Sequence, residues 1–267
     1  LTLTLLLPLA ALWLAAAMAG AWALQRLTRN CGWVDAVWSG ATGLVGAGAA
    51  LVPAPGGAVG PRHLLAAAMV SAWGARLAWH IVRRTPGHAE DPRYAEFRRE
   101  WGAAFESRLL NLLMIQAAAA WVLVAAVVLA ARNPSPFPRP PDLNALAVFA
   151  LAVYGETVAD RQMEKFRARR TGGVCDDGLW GWSRHPNYFF EFLGWCAYPL
   201  LALNGFTAYP QGFLALAAPA LMFLLLRYVS GVPPLEKSML ARRGDAFRAY
   251  QRRVSAFFPL PPKRVSK

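Results

Sequence analysis

Arg184, His185, Asn187, Tyr188 and Glu191 fall within eight residues of one segment, Trp180-Gly-Trp-Ser-Arg-His-Pro-Asn-Tyr-Phe-Phe-Glu191, directly before an apolar run from Phe192 towards Leu203. Ionisable groups at the edge of such a run cost free energy and so mark a site more often than decoration. Pro186 suits a first helical turn, and on that helix Asn187 and Glu191, four apart, share a face. Three more clusters lie at the ends of apolar stretches: Asn30, Trp33, Asp35 and Trp38; Arg76, His80 and Arg84; and Glu156, Asp160 and Arg167. Guanidinium groups suit phosphate oxygens, while acids and amides suit the ribose and base of a nucleotide. Taken singly, each group reads equally well as glue between helices, with Arg76 paired to Glu156 or Asp160. Gathered at one membrane face, they read as a ligand site. The three cysteines and four histidines show no metal-ligand spacing, so neither a metal site nor a disulfide framework is expected. No strand leads into GxGxxG and no GxxxxGK[ST] is present, so helix ends and loops would have to hold any nucleotide. Gly43, Gly46 and Gly48 lie inside an apolar stretch and read as close helix packing.

The elements that must position these groups are apolar blocks. The 267-residue chain is 56% hydrophobic and 16% charged. Seven blocks approach the ~20 residues a bilayer demands: 2–24, 34–53, 64–82, 109–131, 143–160, 187–204 and 210–231. The first has no charge and no basic leader, so it is expected to be a membrane helix rather than a secretory signal. With the N-terminus outside, 23 Lys and Arg fall on the inner side, against Arg62, Arg132 and Arg139 outside, with Arg76 and Arg227 in spans. This asymmetry predicts an all-α, polytopic membrane protein of seven transmembrane helices, N-terminus out and C-terminus cytoplasmic, in one domain over 1–267. The net charge of +13 is then a topological signal plus attraction to anionic membrane lipid, with no nucleic acid required.

The outer loops are short and rich in Pro and Gly, and the inner ones are longer and patterned. Tyr94, Phe97, Trp101 and Phe105 recur at helical spacing among Arg93, Arg98, Arg99 and Glu100. Phe247, Tyr250, Val254 and Phe257 do the same among the arginines of the tail. Both stripes read as anchors at the membrane surface that could also roof a cytoplasmic cofactor cleft.

The chain resembles the membrane steroid 5-alpha-reductase family, in its bacterial branch. The resemblance rests on Gly155-Glu156 with Asp160-Arg-Gln162 and Phe166-Arg167, on Gly178 to Tyr188 with Glu191, on Val229-Ser-Gly-Val-Pro-Pro-Leu-Glu-Lys237, and on the spacing of Arg76, His80 and Arg84. It implies NADPH-dependent reduction of a carbon–carbon double bond conjugated to a ketone, as in a 3-oxo-Δ4-steroid, in a bacterial cytoplasmic membrane with the cofactor site facing the cytoplasm. It also implies cofactor contacts at Arg76, His80, Arg84, Glu156, Asp160, Arg167, Asn187 and Glu191, with Arg184, His185, Tyr188 and Glu236 as weaker candidates. A flat apolar substrate would reach an aromatic pocket in the first four spans, where Trp33 and Trp38 lie. Hydride addition builds negative charge on the ketone oxygen, which needs a hydrogen-bond donor. Where vertebrate members have a Gln-Glu pair and a Tyr, this chain has Asp35 and Trp73. A protonated Asp35 is the first choice of donor, with Trp73 and Tyr188 also placed at the reacting centre. A related His-Pro motif occurs in the isoprenylcysteine carboxyl methyltransferases, which use S-adenosylmethionine. A methyltransferase and a non-catalytic sterol-binding protein are therefore the alternatives.

Overall fold

The computed structural model describes residues 1–83, 85, 92–169 and 172–263. Among these the chain is all-helical, its only β-type pairing being an isolated bridge between Ser183 and Ser255. The helices are α1 (Leu3–Thr28), α2 (Gly32–Ala50), α3 (Pro61–Val82), α4 (Pro92–Trp101), α5 (Phe105–Ala131), α6 (Pro140–Ala168), α7 (Pro186–Trp195), α8 (Ala197–Ala202), α9 (Ala217–Leu224) and α10 (Val232–Arg253). They group into two compact units. Unit 1 comprises Leu1–Arg139 and Tyr198–Ala218, and unit 2 comprises Pro140–Ala197 and Pro219–Lys267.

Five segments are long and apolar enough to cross a membrane: Leu3–Thr28, Pro61–Val82, Arg93–Ala131, Pro140–Ala168 and Pro210–Arg253. Their outer surfaces suit lipid rather than water. Leu12, Trp13, Ile115 and Leu143 are each at least 60% exposed, more apolar area than a water-soluble fold leaves open. The expected span 187–204 is instead two short helices, α7 and α8, separated at Cys196. Pro199 has no N–H to give the carbonyl of Trp195, so the helical ladder breaks there.

Unit 1 is built around α5. Leu6, Ala10, Leu14 and Met18 of α1 recur every four residues and bury against a matching stripe on α5, Phe105, Leu109, Leu113, Ala117, Ala120, Val124 and Val128. Indole N–H groups fix the register of this packing. Trp22 donates to the carbonyl of Glu106 at 3.0 Å and Trp38 to that of Gln116 at 3.0 Å, while Trp121 donates back to Leu7 at 2.9 Å. An indole N–H turned between apolar helices has to find an acceptor, and here the acceptors are helix carbonyls. Helices α2 and α3 cross at Gly43 and Gly74. A Cβ on Gly74 would lie 2.8 Å from the Gly43 Cα, and one on Gly46 would press Val70 at 3.1 Å. Gly43 and Gly46 are thus packing glycines, as expected, whereas nothing comes within 4 Å of a Cβ on Gly48.

The loops at the 51–60 and 132–139 end of unit 1 are laced by arginines. Arg62, only 4% exposed, donates to the carbonyls of Asn133, Ser135 and Pro136 at 2.7, 2.8 and 3.0 Å, its guanidinium 5.4 Å from the Phe137 ring centre. Arg132 binds the carbonyls of Leu1, Val52 and Pro53, and Arg139 those of Leu201 and Leu203. These are the three basic residues that the charge asymmetry leaves on the outer side. Each donates to backbone carbonyls, so a packing task accounts for each of these charges.

In unit 2, α6 and α7 pack closely because residue 155 is glycine: a Cβ there would fall 2.3–2.5 Å from the Phe190 ring. The loop before α7 is fixed to α6 as well. Gln162 accepts the N–H of Leu179 at 3.0 Å, and the Trp180 indole donates to the Ala159 carbonyl at 3.0 Å. The tail stripe is not a membrane anchor. Phe247, Tyr250, Val254 and Phe257 are 2–5% exposed, packed inside unit 2.

Candidate functional site

Unit 1 carries Trp33, Asp35, Trp38, Trp73, Arg76 and His80 of the expected site. Arg84 lies outside the described residues. Trp38 and Trp73 meet edge to face, ring centres 6.0 Å apart, with Trp73 only 4% exposed. Trp33, Arg76 and His80 are half-buried. Asp35 has a task other than the one expected of it. One carboxylate oxygen accepts Arg93 at 2.7 Å and the other accepts the Tyr94 hydroxyl at 3.2 Å. Both carboxylate oxygens are thus already engaged by donors of the protein itself. Asp35 instead ties α2 to α4. Helix α4 is correspondingly more than a surface anchor, because Tyr94 is 2% exposed and Phe97 stacks on Trp101 at 4.6 Å. Sequence reading overlooked Arg93 and Tyr94 as partners of Asp35. They sit inside an amphipathic pattern that already had an interpretation, and no local spacing links residue 35 to residue 93.

Unit 2 carries Glu156, Asp160, Arg167, Arg184, His185, Asn187, Tyr188, Glu191 and Glu236. Pro186 opens α7, so the stripe Asn187, Glu191 and Trp195 runs down one face at steps of four. Glu191 is 6% exposed, and the indole N–H of Trp195, itself 1% exposed, donates to its Oε1 at 3.0 Å. Trp195 also went unnoticed in the sequence, although it stands at the next step of the stripe. Glu156 is buried at 7%, Asp160 and Asn187 are half-buried, and Arg167 is exposed near the end of α6. Tyr188 stacks on His185, ring centres 5.6 Å apart.

Arg184, His185 and Glu236 form a closed set whose work is structural. The Arg184 guanidinium grips both oxygens of Glu236, at 2.7 and 3.2 Å, and also donates to the carbonyls of Gln251 and Val254. Gln251 donates to Glu236 at 2.7 Å, and His185 Nε2 lies 3.2 Å from the same carboxylate. Around them the Ser183 hydroxyl donates to the Phe257 carbonyl, the Arg184 N–H to that of Ser255, and the Leu260 N–H to that of Trp182. The three residues therefore fasten the C-terminal tail to the loop before α7, a structural task that accounts for the Arg184 guanidinium and the Glu236 carboxylate. Burial pushes the Glu236 carboxyl up, but the hydrogen bonds from His185 and Arg184 outweigh it and hold the group down to about 2. Burial lowers the His185 pKa despite the carboxylate beside it, so a neutral ring donates from Nε2. Helix α10 begins past the apolar stretch and carries eight charged residues, so this knot belongs to the polar side of the molecule.

Fold and site together define an all-helical protein with helices of membrane length and a polar stripe at the head of α7. The chain belongs to the family described as Protein of unknown function (DUF1295), which it matches over residues 21–254. No curated protein and no solved structure matches it.

Proposed function

We propose that this protein is a membrane NADPH-dependent reductase of the steroid 5-alpha-reductase kind, reducing the conjugated double bond of a 3-oxo-Δ4-steroid or similar lipophilic enone. The observation that carries the reading is the α7 stripe, in which an amide at Asn187 and a buried carboxylate at Glu191 follow one another at the head of an apolar helix. That donor set fits a dinucleotide. Within unit 2, Asn187, Glu191, Glu156 and Asp160 offer the acceptors and amide that a nicotinamide and ribose require, and Arg167 offers a cation of the kind its phosphates require. NADPH would supply the hydride for the β-carbon. The protein's part is to orient the cofactor, exclude water and donate to the developing enolate oxygen. With Asp35 engaged by Arg93 and Tyr94, Tyr188 takes the donor role.

Purified protein in detergent should melt at a higher temperature with NADPH than without. Ligand at a hundredfold excess over its dissociation constant adds ~2.7 kcal/mol. S-adenosylmethionine, which has no phosphate for the basic groups to hold, should shift the melt far less. Stabilisation by S-adenosylmethionine and not by NADPH would transfer the chain to the methyltransferase reading. Stabilisation by a steroid alone would make it a sterol-binding protein.

The same reading carries seven spans, with the N-terminus out and the C-terminus and cofactor site in the bacterial cytoplasm. Helix α2, at 19 residues, adds to the five longer segments, and so does the α7–α8 pair with its break at Cys196. With the three native cysteines replaced, an impermeant maleimide applied to intact cells should label Gly57→Cys and leave Asp245→Cys unlabelled. The reverse pattern would invert the topology.

A further inference from the structure

We propose that Trp195 is a positioning residue for the cofactor site: its indole N–H fixes the carboxylate of Glu191, so that NADPH meets an acid already held in one orientation. This rests on the reductase reading given above. The bond runs between two buried side chains on one helix face, Trp195 Nε1 to Glu191 Oε1 at 3.0 Å. A carboxylate at 6% exposure has lost most of its water, and a donor to one oxygen both compensates for that loss and selects a rotamer. The geometry of α7 is itself constrained. The Phe190 ring lies directly on Gly155, where no Cβ fits, so α7 meets α6 at a close ring-on-backbone contact one residue before Glu191. Trp195 is the last residue of α7, where Pro199 interrupts the ladder. The ring itself is 1% exposed, held by the packing around it. Pre-setting an acid in this way lowers the ordering cost of ligand binding.

The test is a double-mutant cycle on the full-length protein in detergent, reading the NADPH dissociation constant from titrated melting curves. Trp195→Phe keeps an aromatic ring and removes the N–H, so it should weaken NADPH about tenfold while the ligand-free melt moves only a few degrees. In a Glu191→Ala background the same change should cost nothing further. In a Glu191→Gln background, which keeps a carbonyl acceptor, the loss should reappear. Trp195→Met is the reserve variant should the phenyl ring fail to pack. Unaltered NADPH affinity in Trp195→Phe, or losses that simply add in the cycle, overturns the positioning role and leaves the reductase reading in place. Failure of the wild-type protein to bind NADPH overturns both.

Discussion

Replacing Arg62 with methionine should lower the melting temperature by roughly 6–12 °C. The variant keeps an apolar stem but strands three loop carbonyls that the guanidinium now serves at 2.7–3.0 Å. Each hydrogen bond to a charged group is worth about 1.5–3 kcal/mol, and they do not sum fully, so a net loss of ~3 kcal/mol is expected. For a chain of this size each kcal/mol is ~2–4 °C. Arg62→Lys should recover only part of this, because one ammonium cannot reach a fan of carbonyls that a planar fork spans. The check is thermal melting in detergent without added ligand. A melt of Arg62→Met within about 2 °C of wild type would mean that water or lipid headgroups serve those carbonyls instead.

The Arg184–Glu236 knot should make the protein acid-sensitive in a defined window. The Glu236 carboxyl is held down to about 2, against an ordinary 4.5. A depressed acid contributes stability that is present above the unfolded value and is lost as pH falls from ~4.5 through ~2. The whole contribution is on the order of 3 kcal/mol, at 1.36 kcal/mol per unit. His185 acts in the same direction at higher pH. With its pKa lowered by burial, the folded state resists a proton that the unfolded chain takes up below 6.5. Glu236→Gln leaves Arg184 facing a neutral partner, and breaking a buried pair from one side costs ~3–5 kcal/mol. At pH 7 it should therefore melt well below wild type, and the gap should narrow steadily below about pH 4.5. A gap independent of pH would show that the carboxylate charge is not what holds the tail.

How much of this was legible beforehand depended on the range of the interaction. Helical periodicity and hydropathy are local, so α1, α3, α5 and α6, the packing role of Gly43, and the Asn187–Glu191 face could all be read from short windows. The break before α8 could have been read too, had Pro199 been weighed against the apolar run around it. Partners distant in sequence could not. Nothing near Asp35 announces that residues 93 and 94 will close on it, and nothing near Arg184 announces Glu236 and Gln251. The tail stripe was misjudged for a related reason. Phe247, Tyr250 and Val254 have the spacing of an amphipathic helix whether the other side is lipid or protein, and only the fold decides between the two. Arg62, Arg132 and Arg139 stood apart in the charge count, but the carbonyls that occupy them have no sequence pattern that points to an arginine.

The indole contacts along α5 bear on what a tryptophan in a membrane helix encodes. In hydrocarbon there is little penalty for turning a helix about its long axis, since one apolar face exchanges for another at almost no cost. Burial alone therefore leaves azimuth undetermined. Trp22 and Trp38 each supply a single directional contact that is satisfied at one angle only, and Trp121 does the same in reverse. Three ring nitrogens thus act as compass needles for α1 and α2, and aromatic residues usually counted as bulk carry the angular information of the bundle.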